Sequence, residues 1–142
     1  MSEVTPVVAD LLLKAMTLVV GADDKGHEEE TRVIGEAFQE IVGRPLSEEQ
    51  LAANILAVRM DMPSVWQEVE KHRVLLLPEE KDVVLLGVVK TCIADSELQD
   101  EELVLLTKLA RSLDIPGKRL RGVMQQAWRQ ERQKQKSRAQ TS

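Results

Sequence analysis

Apolar positions recur at helical spacing along nearly the whole chain, no segment alternates long enough for a half-buried strand, and no Asn-Gly or Asp-Gly hairpin turn occurs. The pattern predicts an all-α chain of about seven helices. The first runs from about Thr5 to Val20, with Thr5 as its cap, Pro6 at the first helical position where a missing N–H costs nothing, and Gly21 helping to end it. A second starts near His27 or Glu28, sets Glu28, Glu29 and Glu30 against the positive end of the helix dipole, and stops near Gly43 before Pro45. Ser47 followed three residues later by Gln50 has the form of a capping box, opening a third helix that reaches about Arg59. Asp61-Met62-Pro63 opens a fourth, whose stripe of Val65, Trp66, Val69, Val74 and Leu75 ends before Pro78. The fifth, about Pro78 to Ile93, is apolar over nearly its whole circumference at Val83, Val84, Leu85, Leu86, Val88 and Val89, which makes it the expected central, most buried element. The sixth, about Gln99 to Leu113, presents Leu103, Leu106, Leu109, Ala110 and Leu113. The seventh starts at Asp114 and Pro116 and carries Leu120, Val123, Met124, Ala127 and Trp128.

Sliding the chain against itself gives one good register, at 72 residues, which pairs two helix-loop-helix units. Asp10 falls on Asp82, Leu13 on Leu85, Ala22 on Ala94, Asp23 on Asp95, Glu29 on Glu101 and Glu30 on Glu102. The apolar phase is kept as well, since Val33, Ile34, Ala37 and Ile41 fall on Leu105, Leu106, Leu109 and Leu113. Shared loop length and acid placement point to internal duplication, and two such units with intervening helices predict a compact, pseudo-symmetric helical bundle.

An apolar helix ending in Ala-Asp, a short loop, and an acid-rich helix start with Glu seven residues after the Asp, present twice, resembles the TerB-like family of tellurite-resistance and related stress proteins. The family's loop usually reads Ala-Asp-Gly-x-aliphatic-x-x-x-Glu. The second copy, Ala94 to Glu102, keeps Asp95, the aliphatic Leu98 and Glu102 but has Ser96 in place of Gly. The first, Ala22 to Glu30, keeps Asp23 and Glu30 but has Asp24 for Gly and Gly26 for the aliphatic residue. The resemblance spans about residues 8 to 127. It implies an all-helical bundle, an association with tellurite and other stresses, membrane-associated protein partners for some members, clustered acids suggested as metal ligands, and no defined active site. The departures at Asp24, Gly26 and Ser96 leave open whether the chain serves a tellurite system or shares only the fold.

Composition narrows the rest. A length of 142 residues suits one domain, and with 43% hydrophobic but only 2% aromatic residues its core is aliphatic. A net charge of −5 argues against a general nucleic-acid binder. The last fourteen residues, 129–142, hold five bases and one acid, leaving −9 on residues 1–128, so the expectation is a folded acidic domain over 1–128 and a basic, solvated tail with nothing to pack. Cys92 is the single cysteine, which excludes an intrachain disulfide or a cysteine-based zinc site; with an acidic N-terminus in place of a signal peptide, it fits a cytoplasmic location. The longest purely apolar run, Val83 to Val89, has seven residues, too few to span a bilayer.

The sharpest candidate chemistry lies in the two acidic loops. Each offers five carboxylates: Asp23, Asp24, Glu28, Glu29 and Glu30 in one, Asp95, Glu97, Asp100, Glu101 and Glu102 in the other. A hard divalent cation takes about six to eight oxygens, but neighbouring helix residues point about 100° apart and neither loop has EF-hand spacing. Asp23 with Glu30, and Asp95 with Glu102, are therefore the candidate metal ligands. Capping of free backbone N–H groups and the helix dipole, at about 0.5–2 kcal/mol per cap, accounts for the same residues without a metal. His27 and His72 lack spaced partner ligands, Cys92 sits on an apolar helix, Trp66 and Trp128 lie on apolar stripes as core or interface anchors, and no phosphate loop, serine elbow or HExxH pattern occurs. The reading is a non-enzymatic stress-response domain acting through protein contacts, with a divalent cation at the two loops as an added expectation. The alternatives are an adaptor on the inner membrane surface using the basic tail, and a metal-assisted hydrolase.

Overall fold

The computed structural model describes residues 4–20, 27–94 and 98–141, and every regular element among them is an α-helix. In chain order these are α1 (Pro6–Val20), α2 (His27–Val42), α3 (Glu48–Met60), α4 (Met62–Lys71), α5 (Pro78–Cys92), α6 (Asp100–Ser112) and α7 (Gly117–Thr141). Local chemistry sets most of the ends. Thr5 Oγ1 accepts from the Val8 amide at 3.3 Å, and Ser47 Oγ accepts from Gln50 N at 3.1 Å while Gln50 Oε1 accepts from Ser47 N, which completes the expected capping box. Asp61 Oδ1 caps α4 through Ser64 N. α6 closes in a Schellman turn: Ile115 N reaches Ala110 O at 2.7 Å, Asp114 N reaches Arg111 O, and Asp114 takes the left-handed conformation at φ 57°. Gly21, Asp23, Asp24, Gly26, Asp95, Ser96 and Glu97, all assigned roles above, lie outside the described residues.

α1 and α5 pack side by side at the centre, and the other helices wrap this pair. Each is fifteen residues long, and their bounds are offset by 72 positions, the register found in the sequence. The expectation that α5 alone would be the most buried element needs correcting. α1 is buried at eleven of its positions, from Val8 to Val20, whereas Val83 and Leu86 of α5 are only half-buried. Gly87 leaves room at this seam for side chains of α1 and α2. A Cβ there would lie 2.4 Å from Leu12 Cδ1 of α1 and 2.9 Å from Ile41 Cδ1 of α2. One turn on, the Thr91 hydroxyl satisfies itself on Gly87 O at 2.7 Å, so a polar group is buried at the same seam without loss.

Two further expectations fail for physical reasons. α4 ends at Lys71 and does not continue toward Pro78, so Val74 and Leu75 are not on its stripe but are 80% and 70% exposed. Bonds spanning three residues, from His72 N to Val69 O, Arg73 N to Glu70 O and Leu75 N to His72 O, replace the α-helical ladder with tighter turns, and Leu77, held extended at ψ 155° by the following proline, starts α5. On α6, Leu103 is 41% exposed. The residues of α6 that face the core are Glu102, Leu106, Leu109 and Ala110, with Leu113 buried just after it, and Leu103, one turn from the helix start, lies at the edge of that face.

The basic segment is a continuation of α7. Residues 132–137 are exposed, but Lys134 Nζ lies 3.5 Å from Glu40 Oε2, so the segment does touch the body. Burial works against the charge on Glu40, yet Lys90, at 2.8 Å from Oε1, and Lys134 more than offset it and hold the carboxyl below its ordinary value of 4.5. Among the described residues no helix is long and apolar enough to cross a membrane.

Three outcomes follow from this packing. Gly87→Ala should destabilise by about 1–2 kcal/mol in urea unfolding, because overpacking against Leu12 and Ile41 exceeds the gain of about 1 kcal/mol in helix propensity. Removing residues 129–142 should cost less than about 1 kcal/mol, since the Lys134–Glu40 ion pair that goes with them is exposed. The contribution of Glu40, whose folded pKa is depressed, is complete above its ordinary value and is lost as pH falls through the lowered one, so Lys90→Met should flatten the acid limb of the stability profile.

Candidate functional site

Two carboxylates lead the buried faces of their helices. In α2 the stripe is Glu30, Ile34, Ala37 and Ile41; in α6 it is Glu102, Leu106, Leu109 and Leu113, with the same spacing of four, three and four residues. Glu30 is 2% exposed and Glu102 is fully buried, and among the described residues they are the buried charged ones. Burying a carboxylate among aliphatic side chains is unfavourable unless its oxygens are bonded. Each is met differently. Arg59, in the last turn of α3, donates through Nη2 to Glu30 Oε2 and so ties the end of α3 to the start of α2. Glu30 Oε1 has no hydrogen-bond partner among the described residues. Glu102 Oε1 accepts from Gln99 N at 3.0 Å and closes the start of its own helix.

The neighbouring acids turn away. Glu29 is exposed and pairs with Arg32, which also reaches Glu36 at 3.1 Å, and Asp100 and Glu101 are exposed on the first turn of α6. No group of three or more His, Cys, Asp or Glu side chains placed to hold a metal ion occurs among the described residues. Of the four candidate ligands, Glu30 and Glu102 are thus found buried at helix starts, while Asp23 and Asp95 lie outside the described residues. Cys92 is fully buried, His72 Nδ1 lies 2.8 Å from Glu68 O, and both tryptophans are half-buried against the core, with Lys108 Nζ 4.2 Å from the Trp66 ring centroid.

A family model described as tellurite resistance protein TerB matches residues 9–125. The chain belongs to the TerB family. No curated protein and no solved structure matches it. The TerB match takes in both acidic helix starts and the α1–α5 seam, and it stops within α7 before the basic extension.

Arg59 was not singled out by its sequence, because nothing local connects positions 29 residues apart. A second overlooked feature of this TerB-family chain did leave a signal. α3 is apolar on both sides, with Leu51, Ile55 and Val58 buried and Ala52, Ala53, Leu56, Ala57 and Met60 exposed. Sequence patterning counts such residues as core, and only packing shows which side has a partner.

Arg59→Met should cost about 2–4 kcal/mol in denaturant unfolding, below the largest values for buried pairs because the arginine itself is partly solvated. Combining it with Glu30→Met should recover most of that loss, since the cost comes from stranding a buried charge. A double variant as unstable as the sum of the single ones would mean that the pair is not coupled.

Proposed function

We propose that this TerB-family chain is a non-enzymatic protein-binding domain of a stress-resistance system, and that it docks an apolar helix of its partner on the outward face of α3. The observation that carries the reading is the exposure of Leu56 at 61% and Met60 at 78% on a helix whose opposite side is already committed to the core. Helices that are apolar all round are normally covered on all sides. Ala52, Ala53, Leu56, Ala57 and Met60 share one face with the exposed Glu49 at its N-terminal end, and Arg59, the charge beside its C-terminal end, pairs with Glu30. Small alanines permit close helix approach, and flexible methionines adapt to a partner's ridges.

The test uses cells whose growth under tellurite depends on this chain. Leu56→Glu with Met60→Glu should abolish protection by about tenfold or more in surviving fraction while leaving the melting temperature within a few degrees, as expected for exposed positions. Protection that persists in that folded variant rules out the α3 face.

A divalent cation at the acidic loops, with Asp23 and Glu30 in one and Asp95 and Glu102 in the other, is a second reading favoured by one observation. A dipole role asks only for an exposed acid in the first turn, whereas Glu30 and Glu102 are buried. The shared position of these two glutamates, together with the matching bounds of α1 and α5, also supports descent of both halves from one duplicated unit. Calorimetric titration with calcium, magnesium, zinc and manganese should give saturable binding that Asp23→Asn with Asp95→Asn removes. Absence of heat at about millimolar ion, beyond the range of calcium sensors, assigns the acids to the fold alone.

A further inference from the structure

The turn between α4 and α5 carries a second apolar surface, which shares no residue with the α3 face. Val74, Leu75 and Leu77 are 80%, 70% and 62% exposed, while Leu76 between them plugs into the core at 9%. Three large aliphatic side chains held out around one anchored residue form a rigid apolar knob, and their exposure is costly unless something covers it. Beside this knob runs a groove of about 290 Å³, walled by Val4, Val8, Leu77 and Val83 and rimmed by Glu79 and Glu80. Leu77 is thus both part of the exposed turn and a wall of the groove, so knob and hole are neighbours on one surface. Leu75 does not fill the groove of its own chain, as its exposure shows.

The charges fit the same arrangement. Lys71 and Arg73, both exposed, precede the knob, and the acidic rim follows it. An occupant suited to the groove is an aliphatic side chain flanked by bases, and this chain's own Lys71-to-Leu75 segment has that chemistry. A two-fold axis between the knob and the groove would set the basic flank of each protomer, Lys71 and Arg73, against the partner's acidic rim of Glu79 and Glu80. The geometry points to a second copy of this chain as the partner: a symmetric dimer in which Leu75 of each protomer seats in the groove of the other. The surface is small, so the dimer is a weak, reversible one, and the domain presents two α3 faces when it forms.

Sedimentation equilibrium of the full chain from about 5 µM to about 1 mM, a range that brackets weak interfaces, tests this directly. The expected result is a mass rising from 16.0 kDa toward twice that value, with no rise for Leu75→Ser. Arg73→Glu and Glu79→Arg should each weaken dimerisation by about tenfold, and the two together should restore it, because the swap pairs the two charges again across the contact between copies. The charge variants keep the test decisive should Leu75→Ser unfold. A wild-type chain that stays monomeric, or a double charge variant no better than the single ones, overturns the dimer. Neither result touches the α3 reading, which depends on Leu56 and Met60.

Discussion

The packing of α1 against α5 at Gly87 is the constraint on which the remaining structure is built. Two fifteen-residue helices rich in aliphatic residues share one core only if no gap is left between them, and the missing side chain at Gly87 is where the Leu12 side chain of α1 and the Ile41 side chain of α2 fit. With Phe38 the one aromatic residue buried in the core among the described residues, the interior is filled mainly by aliphatic side chains. The seam therefore sets where α2 and α6 lie, and with them the depth at which Glu30 and Glu102 are held.

The two buried glutamates, Glu30 and Glu102, are answered in two physically different ways. Both head an apolar stripe of the same spacing, so the packing of each helix carries its first-turn carboxylate inward. On α6 the charge is answered locally, by the backbone at Gln99; on α2 it is answered from a distance, by Arg59. The second solution makes the register of α3 depend on α2. It also engages Arg59, the charge at the C-terminal end of the outward face of α3, while that side chain stays partly exposed.

Most of the exposed large apolar side chains among the described residues lie on α3, at the start of α4 and on the turn before α5. On α3 they form a helix face, suited to a helical partner; at the turn they form a knob beside a groove with opposite flanking charges. Ion pairs such as Lys14 with Glu68 and Asp82 with Arg119 lie on the rims between helices, where they contribute orientation more than stability.

The sequence by itself determined the helices and most of their ends, because periodicity, Ser47 with Gln50, and Pro6, Pro63 and Pro78 act over a few residues and need no distant partner. It also carried the TerB resemblance, through acids at fixed local spacing, which the match over residues 9–125 bears out. What it left undecided concerns sides and partners. Periodicity names an apolar residue but not what covers it, so Val74, Leu75 and Leu103 read as core and are exposed. Only the tertiary structure brought Arg59 to Glu30 and put Glu102 at the head of a buried stripe, since burial and charge pairing depend on which helices meet, and that is a property of the whole packed chain.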